Sequence, residues 1–113
     1  MKTEQLQKIV IDALEELKAE EIHVIDVRDN TTITDIMVIA SGNSTRHVKS
    51  IADNLILRVK EERGHIIGVE GEKEAEWILV DCGDVVAHVM LPSVRDFYAL
   101  EKLWTMEHTK VNP

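Results

Sequence analysis

"WILVDCGDVVAHVML", Trp77 to Leu91, is apolar along almost its whole length, yet it carries Asp81, Cys82, Asp84 and His88. Buried acids, thiols and imidazoles are costly unless paired or bound. The stretch is therefore a metal cluster, a catalytic cluster, or a hairpin whose tip must be polar. It divides at Asp81-Cys82-Gly83, a triplet suited to a type I turn closed by a left-handed glycine. A two-residue loop of Cys82-Gly83 fits less well, because Cys tolerates a positive φ poorly. In this register Trp77, Leu79 and Asp81 share one strand face, and Ile78 and Val80 the other. On the return strand Val85, Ala87 and Val89 alternate with Val86, His88 and Met90. Asp81 and Asp84 then cap a turn in water, Cys82 is a small turn residue, and His88 alone lies well inside a strand.

Neither chemical alternative fits this spacing. Structural zinc needs four ligands, usually two close Cys/His pairs, and here one Cys and one His lie six apart. A tip thiol and a mid-strand imidazole are also beyond hydrogen-bond reach of each other, so a Cys–His nucleophile is disfavoured. No metal and no cofactor are expected.

Around the hairpin the chain alternates helical and extended patterns. Leu6, Ile9, Val10, Ala13, Leu14 and Leu17 recur at helical spacing near the start. Two strands follow, Ile22 to Val27 and Ile33 to Ser41, joined by the turn-forming "RDNTT". The second is too apolar for clean alternation, as for a strand covered on both faces. A second helix begins after Ser44 as N-cap, buries Val48, Ile51, Ala52, Leu55 and Val59, and ends with Gly64 as the left-handed residue. A short strand near Ile66 to Val69 and the polar loop "EGEKEAE" lead to the hairpin. A last helix, "SVRDFYALEKLW", starts at a capping box of Ser93 and Asp96. On it Val94, Phe97, Leu100 and Trp104 form the core stripe. Tyr98 and Leu103 fall on opposite rims, about 100° and 120° from Phe97. Such rim residues, like Trp77 on its strand, are edge packing or anchors for a partner.

Helix, two strands, helix, three strands, helix implies an α/β fold: a mixed sheet of about five strands flanked by helices. Its 113 residues and 44% hydrophobic content suit one compact domain, expected over 1–104 with a frayed tail at 105–113. The single cysteine allows no internal disulfide and points to a reducing compartment. The amphipathic, acidic opening segment resembles neither a secretion signal nor a transit peptide, so a cytoplasmic protein is expected. Nothing in it is long and apolar enough to span a membrane.

Thirteen basic against 21 acidic residues give a formal charge of −8. That disfavours direct nucleic-acid binding, whose affinity comes from Lys and Arg displacing counterions. It favours a basic protein partner. "SGNS" at Ser41 to Ser44 lies where phosphates meet helix N-termini, but no Gly-Lys-Ser/Thr follows. A small nucleotidyltransferase using Ser41, Ser44 and Asp35 would need paired carboxylates for its metal ions. In the sequence Asp26 and Asp35 stand alone. That enzyme and a metal-binding module using Cys82 and His88 are the rival readings.

Three segments together, "ITDIMVIASGNSTRHVKSIADN", "VEGEKEAEWILVDCGDVVAHVML" and "VRDFYALEKLW", resemble the ribosomal silencing factor (Iojap-like) family from about Leu6 to Trp104. Thr34-Asp35, the Ser41-to-His47 loop, Glu70-Gly71, Trp77, Asp81, Gly83-Asp84, His88, Tyr98, Glu101 and Leu103-Trp104 stand where that family carries them, and Ile36 replaces its usual aromatic. The resemblance implies a nucleotidyltransferase-like fold without transferase activity. It also implies binding to the fourteenth protein of the large ribosomal subunit, with subunit joining blocked and translation lowered when nutrients are scarce. Trp77, Asp81, Asp84, His88, Tyr98 and Leu103 are then expected to contact the partner. A homodimer is left open.

Overall fold

The computed structural model describes residues 1–28 and 34–98, without the side chains of Phe97 and Tyr98. The elements are α1 (Thr3–Glu16), β1 (Glu20–Asp26), β2 (Ile36–Ser41), α2 (Thr45–Glu61), β3 (Gly68–Glu70), β4 (Trp77–Asp81), β5 (Val85–Met90) and α3 (Pro92–Tyr98). Among the described residues five strands form one sheet, in the order β1-β2-β5-β4-β3. Only β2 and β5 run parallel; the other neighbours are antiparallel. The expected mixed α/β sheet with flanking helices is what the chain forms.

The two central strands are buried at every position, which explains why neither alternates polar and apolar residues. Ile36, Val38 and Ala40 of β2 join Val85, Ala87 and Val89 of β5 on the face that receives α1 and α2. Leu14, Ile51 and Leu55 are fully buried in this layer, and truncating any one to Ala is expected to cost about 2–5 kcal/mol. Between the helices, Asn54 Nδ2 donates to the Ala13 carbonyl at 3.0 Å, and Arg58 pairs with Glu16. The opposite face gathers Val27, Met37, Ile39 and Met90, with Ile25, Trp77 and Val94 packed at its margin.

Both long helices end in the same backbone device. In α2 the Arg63 N–H donates to Lys60 O at 3.0 Å and the Gly64 N–H to Val59 O at 2.8 Å, the paired bonds of a Schellman motif. The left-handed residue is Arg63 at φ 66°, not Gly64 as the sequence suggested. Gly64 serves by its size, since a Cβ there would stand 2.7 Å from Val59 Cγ1. Helix α1 repeats the pattern: Lys18 at φ 59° donates to Glu15 O, and the Ala19 N–H reaches Leu14 O, both at 3.0 Å.

Helix starts divide between expectation and correction. Ser44 caps α2, its Oγ accepting from the His47 N–H at 3.1 Å. Helix α3 instead begins at Pro92, with the Arg95 N–H donating to Leu91 O at 3.0 Å. Proline at the first helical position needs no donor partner, so Ser93 lies one residue inside the helix rather than capping it. Positions 29 to 32 of the expected turn lie outside the described residues, as do position 33, where the second strand was expected to begin, Leu100, Leu103, Trp104 and the 105–113 tail.

Candidate functional site

The β4–β5 hairpin holds most of the residues singled out. Its register pairs Trp77 with Met90, Leu79 with His88, and Asp81 with Val86, so the expected sharing of faces is right. The tip differs. Asp81 is still in the ladder and the Cys82 N–H donates to Val85 O at 2.9 Å, which leaves Gly83-Asp84 as the reversal. Gly83, at φ 91°, occupies the first central position, where a positive φ is demanded in a two-residue type II′ loop. The Asp81 Oδ1 accepts the Gly83 N–H at 2.8 Å and so holds the glycine in place.

Cys82 is not a solvated turn residue. It is 7% exposed and packs with the α1–α2 core. Burial, with the Asp81 carboxylate adding to it, pushes the thiol up to about 12. A thiol held protonated is a poor nucleophile and a poor metal ligand. His88 lies on the other sheet face, beside Trp77, so the two groups cannot share an ion. Among the described residues no group of three or more His, Cys, Asp or Glu is placed to hold a metal.

His88 is 7% exposed. Its Nδ1 accepts the indole N–H of Trp77 at 2.9 Å, with ring centroids 5.8 Å apart and planes inclined by 48°. An indole nitrogen only donates. Nδ1 must therefore be bare, which leaves the proton of the neutral ring on Nε2. Burial pushes the imidazole down to about 4, in agreement with a neutral ring. Trp77 itself is half-buried, at the margin of the second core cluster.

The approach to Trp77 is tightly built. A Cβ on Gly71, at φ 88°, would stand 2.0 Å from the Trp77 carbonyl oxygen. Only glycine lets the loop pass there. Glu70, Glu72, Glu74 and Glu76, with Lys73 among them, are exposed along it, so the loop that leads into Trp77 is acidic. At the other end of the hairpin, Thr3 Oγ1 lies 3.1 Å from Asp84 Oδ2 and 3.3 Å from Asp35 Oδ2. Asp84 O also accepts the N–H groups of Asp35 and Ile36, at 3.0 and 2.9 Å. Asp35 thus does not stand alone, and it meets Asp84 across the β2–β5 pair far from Ser41 and Ser44 at the other end of β2.

Around "SGNS" the polar groups are occupied by the fold. His47 Nδ1 accepts the Asn43 N–H at 2.9 Å, and its Nε2 lies 2.7 Å from Leu17 O. Ser41 Oγ accepts from Arg95 at 2.8 Å. Arg95 is 4% exposed and ties α3 beneath the end of β2, a buried cation that sequence reasoning missed. The stripe on α3 gave no sign of it, because the Arg lies beside the apolar positions rather than among them. The side chain of Tyr98 and all of Leu103, both expected contacts, lie outside the described residues.

The sequence model of a family described as "Ribosomal silencing factor during starvation" matches residues 1–113. This chain belongs to the ribosomal silencing factor family. A family member of that name from Chromobacterium violaceum is 43% identical over 104 residues, covering 92% of this chain and 85% of the relative. A mouse protein named "Mitochondrial assembly of ribosomal large subunit protein 1" is 37% identical over 101 residues, covering 87% of this chain and 44% of the relative. In three dimensions, a crystal structure of a Chromobacterium violaceum protein superposes with a TM-score of 0.91 at 43% identity, covering 93% of this chain and 88% of the other. The silencing-factor family thus accounts for the described fold along its length.

Proposed function

We propose that this protein binds the large ribosomal subunit through its fourteenth protein and, by occupying the face where the small subunit docks, blocks subunit joining and lowers translation under nutrient limitation. The observation that carries the reading is a half-buried tryptophan at the end of an exposed acidic loop, on a chain that belongs to the silencing-factor family. Tryptophan at the margin of a packed face is the residue type that anchors interfaces, and the net charge of −8 suits a basic ribosomal protein rather than bare rRNA. The mouse relative's name ties that protein to the large subunit. Trp77, Asp81, Asp84, Tyr98 and Leu103 form the contact set, with His88 belonging to the site behind Trp77. Occlusion needs no bond making or breaking, so the protein acts without catalysis, metal or cofactor, in the cytoplasm and away from membranes. No described helix is long and apolar enough to cross one.

Co-sedimentation with isolated large subunits, with and without the fourteenth protein, tests the reading. Pelleting with complete subunits and release when that protein is missing is the expected result. Equal pelleting with both preparations would place the contact elsewhere.

A further inference from the structure

We infer that His88 is a positioning residue: it acts on the partner through Trp77, by accepting the indole N–H and holding the ring in the orientation that docks. The inference rests on the reading of Trp77 as an anchor and goes beyond it by separating the group that touches the partner from the group that aims it. Exposure makes the first distinction. His88 is 7% exposed and has little surface to offer, whereas Trp77 is half-buried at the margin of its core cluster.

Geometry makes the second distinction. Trp77 is opposite Met90 and His88 is opposite Leu79, so the two rings meet on the diagonal of one sheet face. Across that diagonal the Nε1–Nδ1 distance is 2.9 Å. The tilt of 48° at 5.8 Å between centroids excludes parallel stacking, so the hydrogen bond is the directional contact between the rings. A tryptophan has two side-chain torsions, and an acceptor at its nitrogen restrains both. Immobilising a side chain before binding removes a cost otherwise incurred on association, worth roughly a threefold to tenfold gain in affinity.

The bond is specific in chemistry. The indole needs a lone pair at the Nδ1 position, which Asn can supply through Oδ1 and Phe cannot. His88→Phe keeps a ring of similar size and removes the acceptor; Trp77→Phe keeps a ring and removes the donor. In solution, the folded protein at neutral pH should show His88 with a bare Nδ1 by nitrogen-15 NMR, and the Trp77 indole proton should exchange faster with water in His88→Phe.

Affinity for isolated large subunits is the deciding measurement, beside thermal melts of every variant. His88→Phe and Trp77→Phe are each expected to weaken binding about threefold to tenfold. The double variant should be no weaker than either single one, because both remove the same bond. His88→Asn should bind within about twofold of wild type, a rescue that volume-filling alone would not predict. The inference is overturned if the single losses multiply in the double variant, if His88→Asn binds as poorly as His88→Phe, or if His88→Phe binds like wild type. Should His88→Phe fail to fold, Trp77→Phe and His88→Asn decide, since loss in the first with retention in the second is still required. Trp77→Ala separates the two levels. If it binds like wild type, the anchor reading itself fails; if it loses binding while His88→Phe does not, only the positioning role does.

Discussion

His88 carries a proton balance that stability measurements can read. Its ordinary value is 6.5 and burial pushes it down to about 4. Between these values the unfolded chain binds a proton that the folded chain refuses, so stability rises with pH across that window. The contribution is fully present above about 6.5, is lost as pH falls toward 4, and amounts to about 3 kcal/mol in all. Urea unfolding at pH 7, 5.5 and 4 should therefore show a steeper acid loss in wild type than in His88→Phe, which has no such proton to bind. Parallel losses in the two proteins would contradict the assignment. Sequence alone indicated the alternation within each strand, with its period of two, but not that Trp77 and His88 share a sheet face. It did not indicate their bond, which depends on the register between strands and on burial of the ring. Cys82 was misread for a related reason: the reversal falls one residue later than the turn pattern suggested, and the shift carries the thiol from the tip into the core.

At the level of elements, apolar periodicity was legible and chain reversals were less so. Every stripe residue expected on α2 is buried, and α1 differs only in that Leu17 lies just past its end and is half-buried. The stops are different, because a glycine near a helix end has two possible uses. At α2 the free volume of Gly64 is needed, while Arg63 takes the left-handed backbone. This makes a contrast that calorimetry can check. Lys18→Gly and Arg63→Gly relieve Cβ strain at φ 59° and 66°, less the extra entropy glycine gives the unfolded chain. Each should stabilise by about 0.5 kcal/mol and raise Tm by roughly 2–4 °C. Gly64→Ala should destabilise by about 1–3 kcal/mol, the scale of overpacking. Melting temperatures that fall in Lys18→Gly and Arg63→Gly would show that the side chains, not the backbone, matter there.

For the whole molecule, the acidic balance is the property read most directly from composition, and it bears on how fast the protein finds a basic partner. At physiological ionic strength charges are screened over about 8–10 Å. The association rate constant with large subunits should therefore fall steadily as salt is raised through that range, while dissociation changes less. A flat association rate would remove electrostatic steering from the account. The fold class was legible because element order and two fully apolar strands leave few arrangements of the sheet. The proposed contact surface was legible only in part, since it would join residues 77 to 88 with others far from them in sequence.

Subunit joining tests the central claim most directly. Large subunits are incubated with the protein, small subunits are added, and joining is followed by light scattering. Wild-type protein should suppress the rise in scattering, and Trp77→Ala at the same concentration should restore most of it, while thermal melts show it still folded at the assay temperature despite the lost bond to His88. Full joining with wild-type protein still bound to the large subunits would contradict occlusion, whatever the affinity.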